Sequence, residues 1–399
     1  MENAGIPDYF VCPISHQIMQ DPVTTITGIT YDRPSIEQWL FSYKKALCPI
    51  TRQPLPPSSE LIPNHSLRRL IQSWSASISN LSQKSFLDKS FFINLMRDLD
   101  HPDKHKDALK RLQKLREENE GNKKGMVEAG VPKALVLFIA DCCYQKRRSE
   151  GLPEALDVLR FVGFPKRDQC KALLGRNCDV IQSFTWVLTS KKLSYQSKSH
   201  AVWALKSLFD VADALTMESL DEDFFFAILT FLKVRASARE EGIKLGLQVL
   251  LEASRFAVNR AMMVHSGAVF RLTELETESK ERLTTEIVLG ILANLCSCSE
   301  GRAHIMSNRY AIEMVSQRIL EVSGVADDRA LAILLAICKN SMPNQNSLKE
   351  ILNANSLKKV CVLLQPGRSD LTVEHKAKEI LKHYFTVTKL DPCTSFTLF

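Results

Sequence analysis

The chain has 399 residues, 45% apolar and 24% charged, a soluble globular composition with material for about two or three domains. Its net charge of +7 and sequence pI near 8.8 fall short of the pI above about 9 and the clustered basic stripe of a dedicated nucleic-acid binder, so no nucleic-acid partner is expected. The longest apolar run, "ALVLFIA" at 134–140, is far below the ~18 residues of a membrane span.

The opening "MENAGIPDYF" has no basic start and no apolar core, unlike a secretory signal. Glu2 excludes N-myristoylation, and Cys393 lies too far from the end for prenylation. The eleven cysteines fall mostly inside apolar helical patterns (Cys170, Cys296, Cys338, Cys361). They read as buried reduced thiols. A cytoplasmic location is expected, with nuclear or membrane-peripheral placement as alternatives.

Residues 6–75 are proline-rich, with short β-like pieces and short helices. "VTTITGITY" predicts two brief strands turning at Gly28. "DRPSIEQWLFSY" predicts a helix capped by Asp32, with Pro34 in its first turn and Ile36, Leu40 and Tyr43 as the inward stripe. "PNHSLRRLIQSW" predicts a second amphipathic helix with Leu67, Leu70, Ile71 and Trp74 on one face. The serine-rich "SASISNLSQKS", 75–85, reads as a linker.

Beyond residue 86 the pattern is helix after helix. A phrase with a small or turn-forming residue between apolar helices recurs at Gly130, Asn177, Gly267, Asn308 and Asn355. Its spacing is 41–47 residues, with one gap of 90. That period belongs to helical solenoid repeats. The long gap should hold a degenerate copy within "SHAVWALKSLFDVADALTMESLDEDFFFAILTFL". "DALKRLQKLREENEGNKKG" reads as an amphipathic solenoid helix with Leu109, Leu112 and Leu115 inward. Lys146, Arg147 and Arg148 read as a solvated loop, with an import or lipid-binding patch as the alternative.

Two Cys-Pro-Ile turns, "VCPISHQIMQDPV" and "LCPITRQPL", look like a zinc finger that has lost half its ligands. Ser15 and Thr51 stand where second cysteines would. The remaining Cys12, His16, Cys48 and His65 do not match structural zinc spacings. No metal and no cofactor are therefore expected. Cys12 and Cys48 read as small buried hydrophobes, with Ser15, Thr51, Asp21, Asp32, Arg33 and Asn64 holding the loops by hydrogen bonds and ion pairs.

"IPDYFVCPISHQIMQDPVTTITGITYDRPSIEQWL", "CPITRQPL" and "LIPNHSLRRLIQSW" resemble the U-box, the metal-free relative of the RING domain. With the helical repeats that follow, the whole chain resembles the plant U-box–armadillo ubiquitin ligases. His16-Gln17 stand where the family usually has Leu-Glu. The resemblance implies a small α+β U-box over 5–79 and a linker with a first helix over 80–100. An all-α armadillo superhelical solenoid of about six repeats would follow over 101–390.

The same resemblance implies an E3 ligase with no nucleophile of its own. Its partners would be a ubiquitin-conjugating enzyme, ubiquitin and a protein substrate in the armadillo groove, with self-association as a further option, and its setting plant stress or immune signalling. Matching motif positions assign docking of the conjugating enzyme to Ile14, Trp39, Pro49 and Ile50. Arg52 would be the activating contact, and Cys12, Asp21, Asp32, Cys48 and Asn64 the internal frame. Trp39, beside Leu40, would equally suit the core, and a lone arginine is ordinarily solvated. The alternative function is an armadillo adaptor of the import-receptor kind without ligase activity. Such receptors carry a ladder of tryptophans, and the repeats here hold only Trp186 and Trp203.

Overall fold

The computed structural model describes residues 7–42, 45–56, 58–83, 89–101, 103–118, 121–144, 150–174, 180–233, 240–279, 281–340 and 354–388. Tyr43, Asn177, Cys393 and the run Lys146–Arg148 lie outside them. The chain separates into two compact units, Met1–Leu87 and Asp88–Phe399.

In the first unit, strands β1 (Pro22–Thr24) and β2 (Thr30–Asp32) form the predicted hairpin around Gly28, and β3 (Ile62–Pro63) pairs with the other edge of β1. All three strands run antiparallel to their neighbours. Helix α1 (Arg33–Glu37) carries Pro34 in its first turn and continues into a wider π turn over Gln38–Ser42. Tyr31, Ile36, Leu40, Leu55, Cys12 and Cys48 form the buried centre.

The structure revises three readings of this unit. Asp32 occupies the N-cap position of α1 but makes no capping bond there. Leu70 is exposed, while Ile71 is buried and Leu67 and Trp74 pack at the edge of the core. The serine-rich stretch does not break the chain: helix α2 runs from His65 through Gln83. Serine is a middling helix residue rather than a breaker, and this stretch contains neither Gly nor Pro to stop a helix already nucleated.

The second unit opens with the pair α3 (Lys89–Leu99) and α4 (His105–Glu118). Among the described residues five triplets follow: α5 (Asn122–Ala129), α6 (Val131–Tyr144), α7 (Leu152–Val162); α8 (Arg167–Leu174), α9 (Val180–Thr189), α10 (Tyr195–Phe209); α11 (Ala214–Glu218), α12 (Glu222–Phe231), α13 (Glu240–Ala253); α14 (Ala257–His265), α15 (Ala268–Ser279), α16 (Arg282–Leu295); α17 (Ser299–Ser307), α18 (Arg309–Arg318), α19 (Gly324–Asn340). The pair α20 (Ala354–Leu363) and α21 (Leu371–Thr388) closes the array. The third triplet fills the long gap in the sequence period.

The third helices α4, α7, α10, α13, α16, α19 and α21 stack successively against one another. Leu109, Leu112 and Leu115 of α4 are buried as their spacing predicts.

The recurring phrase joins the first helix of a triplet to the second, and it uses two different devices. Gly130 and Gly267 turn the chain in the left-handed region (φ 90° and 85°), which costs a side-chain-bearing residue strain. Asn308 stays extended, and its side chain accepts the amide of Ala311, capping α18. Asp221 does the same for α12, accepting from Phe224 at 2.8 Å.

Between α15 and α18 lies a fully buried carboxylate. Glu276 accepts two bonds from the Arg318 guanidinium, at 2.5 and 3.2 Å, and one from Thr285 at 3.0 Å. Losing one partner of such a pair strands a buried charge. Arg318→Leu should destabilise the solenoid by about 3–5 kcal/mol, and Arg318→Leu with Glu276→Leu should recover most of that loss. Denaturant midpoints of the three chains check this; a single variant as stable as the double one would contradict it.

Candidate docking surface

The two Cys-Pro-Ile segments fold into the same turn. In the first, Cys12 N–H donates to Gln17 O (2.8 Å), His16 N–H donates to Cys12 O (2.9 Å), and Val11 bridges to Ile18. In the second, Cys48 N–H donates to Gln53 O (2.9 Å), Arg52 N–H donates to Cys48 O (3.0 Å), and Leu47 bridges to Pro54. His16 and Arg52 each take a left-handed conformation, φ 54° and 59°. Six residues of similar type at the same spacing give one backbone shape twice.

Both sulfurs, of the residue type that would ligate a metal in a zinc loop, are surrounded by hydrogen-bonding groups. Among the described residues no three His, Cys, Asp or Glu side chains gather to hold a metal. The Asp32 N–H points at Cys12 Sγ (3.3 Å). The Tyr31 hydroxyl lies 3.0 Å from Cys48 Sγ, and Thr27 Oγ1 and the Thr51 amide donate to the same sulfur at 3.4 and 3.5 Å. Two adjacent residues at the end of β2 thus hold both loops.

Burial alone pushes the Cys48 thiol up, but the donors from Thr27, Thr51 and Tyr31 pull it down to about 6. Burial likewise raises Cys12, and the amides of Asp32, Ser15 and Ile14 with the Ser15 hydroxyl bring it below the ordinary thiol value. Burial, then the bond to Cys48, pushes the Tyr31 phenol well above its ordinary range.

Polar side chains tie these loops to the helices. The Asp32 carboxylate accepts the amides of Gln20 and Asp21, both at 2.8 Å, bracing the first loop rather than capping α1. Asp21 in turn pairs with Arg33 (2.7 Å) and Arg68 (3.5 Å), joining that loop to α1 and α2. Asn64 accepts the Leu67 amide at the start of α2 and donates to Thr24 Oγ1 (3.0 and 3.3 Å). Beyond their place in the hairpin, Tyr31 and Thr27 carry no sequence signal of these contacts. The tyrosine stands 17 residues from its sulfur, and no local spacing announces the meeting.

On the outer side, Trp39 is half-buried, and its indole N–H donates to Leu47 O (2.9 Å), fastening the helix to the second loop. Ile50 and Leu47 are 55% and 51% exposed. Pro49 is half-buried, and Arg52 is exposed. Ile14 is half-buried and packs against the core. The first loop carries a smaller apolar surface than the second.

A pair of cross-braced loops on a small sheet, followed by stacked helical triplets, defines a U-box with armadillo repeats. The U-box domain family matches residues 6–80, and the plant U-box protein ARM repeat region matches residues 93–399. The chain belongs to the plant U-box–armadillo family of E3 ubiquitin-protein ligases.

Among its relatives are three Arabidopsis thaliana proteins. E3 ubiquitin-protein ligase PUB24 is 36% identical, covering 100% of this chain and 96% of the relative. PUB23 is 34% identical (98% and 96%) and PUB22 33% identical (99% and 98%). A solved structure concerning the cadherin–β-catenin interaction matches 80% of this chain and 58% of its own at 14% identity, TM-score 0.60. Uso1-2 matches 76% and 51% at 11% identity, TM-score 0.55. These two likenesses speak to fold.

Two outcomes are expected. Chelator treatment should leave the thermal midpoint of the full chain unchanged, with no stoichiometric zinc by elemental analysis. The second concerns Cys48, which titrates near 6 in the folded chain and near ~8.5 when unfolded. Between those values the unfolded state binds the extra proton, so stability rises with pH across the window and is lost as pH falls through 6. Hydrogen exchange at the Val23 and Tyr31 amides should show the gap between the native chain and Cys48→Ser widening from pH 6 to 8.5. A constant gap would show a sulfur that stays protonated.

Proposed function

We propose that this ligase docks a ubiquitin-loaded conjugating enzyme on the surface formed by Ile14, Trp39, Pro49 and Ile50, and recruits a protein substrate through the third-helix layer of its solenoid. Arg52 is the activating contact. From the family resemblance, the setting is plant stress or immune signalling.

The observation that carries this reading is the fastening of Trp39 to Leu47 O beside the exposed Ile50. An apolar edge is held out to solvent on a loop braced from behind. Apolar side chains centred in an interface, with water excluded around them, carry most of its binding energy.

Cys12 and Cys48 are 0% and 1% exposed, so neither can receive ubiquitin by thiol exchange. As in the U-box family, the reaction is direct: the substrate lysine amine attacks the thioester carbonyl on the conjugating enzyme, the new amide bond forms, and the enzyme thiol leaves. The U-box contributes orientation. Arg52, exposed and presented from a left-handed turn, offers a planar fork of donors able to bridge two acceptors.

Docking and activation should separate by mutation. Ile50→Ala should weaken binding of the unloaded conjugating enzyme and slow discharge together, by about tenfold or more. Ile14→Ala should do the same with a lower thermal midpoint, because Ile14 also packs inward. Arg52→Ala should leave that binding near normal while single-turnover discharge onto free lysine slows by roughly ten- to a hundredfold. Arg52→Ala losing binding as severely as Ile50→Ala would make it an ordinary docking residue. Absence of discharge by the native chain would favour the adaptor reading.

A further inference from the structure

Where α4, α7 and α10 meet, the third-helix layer opens into a cavity of about 210 Å³, lined by Gln113, Glu154, Asp157, Ser194, Gln196 and His200 among others. Among the described residues no lysine or arginine lines it. Its polar groups differ in how they are satisfied. Asp157 holds the Arg116 guanidinium and accepts from Gln113 at 3.3 Å. Ser194 caps α10 through the Ser197 amide. His200 Nδ1 is buried without a hydrogen-bond partner, 4.0 Å from Asp157 Oδ1. Burial pushes that imidazole below its ordinary value, so it stays neutral and adds no positive charge.

Glu154 also faces this cavity. Other acidic residues on or beside the third helices meet cations: Asp157 meets Arg116 of α4, Glu241 of α13 meets Arg160 of α7 (2.8 Å), Glu281 meets Lys244 of α13 (2.7 Å), and Glu286 meets Arg282 within α16 (3.1 Å). Glu154 has no ion-pair partner among the described residues. Its place in the first turn of α7 favours a carboxylate, but does not account for the cavity in front of it.

One turn further along the same faces of α7 and α10, the Arg160 guanidinium stands 4.8 Å from the Trp203 ring centre while pairing with Glu241. The layer therefore already holds a planar cation between a carboxylate and an aromatic face.

We propose that this cavity receives a lysine or arginine side chain from an extended segment of the substrate, with Glu154 as its counter-ion. The site deepens the substrate-recruitment reading and rests on it. Gln113, Ser194 and Gln196 supply polar neighbours at the rim, and Trp203 with Arg160 gives the adjoining stretch of the segment a flat wall.

The test uses the full-length chain and immobilised pools of short peptides with degenerate flanks and a fixed central Lys, Arg, Leu or Glu. The native chain should retain the Lys and Arg pools about tenfold above the Leu and Glu pools, the size of one charge-assisted contact. Glu154→Gln should abolish that preference while total peptide retention and U-box discharge activity persist. Glu154→Lys should move the preference to the Glu pool. Equal retention of all pools, or a Lys and Arg preference that survives Glu154→Gln, overturns the pocket and leaves recruitment by the solenoid standing. Retention of no pool overturns both.

Discussion

The U-box depends on sulfur acting as a hydrogen-bond acceptor. A domain of this size buries too little apolar surface to fix two long loops by packing alone. In a zinc-binding relative the metal would join the loops. Here the hydroxyl of Tyr31 and the amide of Asp32, neighbours on one strand, reach the two cysteines instead. The Cys12 and Cys48 sulfurs are kept because each is a large, polarisable acceptor able to take several donors at once. Ser15 and Thr51, in place of metal ligands, join those donors.

The surface follows from this bracing. Trp39 is fastened to the second loop, Asp21 ties the first loop to both helices, and the apolar residues are left facing outward on a backbone that cannot fold over them. The solenoid solves a different problem by repetition. Each triplet needs a sharp turn between its first two helices, met by a left-handed glycine at two positions and by a capping Asn or Asp at others. Because the third helices stack in register, charged residues on them recur as bridges from repeat to repeat.

What could be read in the sequence was local. The hairpin at Gly28, the inward stripe of Ile36 and Leu40, and the solenoid period at Gly130 and Gly267 all arise from neighbours a few residues apart, where pattern and structure coincide. Asp32 was misassigned because an Asp before a helix ordinarily caps it, whereas here the amides of Gln20 and Asp21 compete for the same oxygen and win. The serine-rich stretch is polar without being irregular: lacking Gly and Pro, it continues the helix. Tyr31 on Cys48 and Arg318 on Glu276 join residues 17 and 42 apart, and such meetings have no signature in any short window.

The left-handed backbone at His16 and Arg52 carries one more consequence. Conformations of this kind cost a residue with a side chain about 1–2 kcal/mol, and asparagine or glycine would ease them. The strain is borne once, when the chain folds, and it fixes the direction in which each Cα–Cβ bond leaves the loop. A side chain launched along a set line has less freedom left to lose on meeting a partner. The same strain thus sets, at some cost in stability, the line along which each of the two side chains leaves its loop.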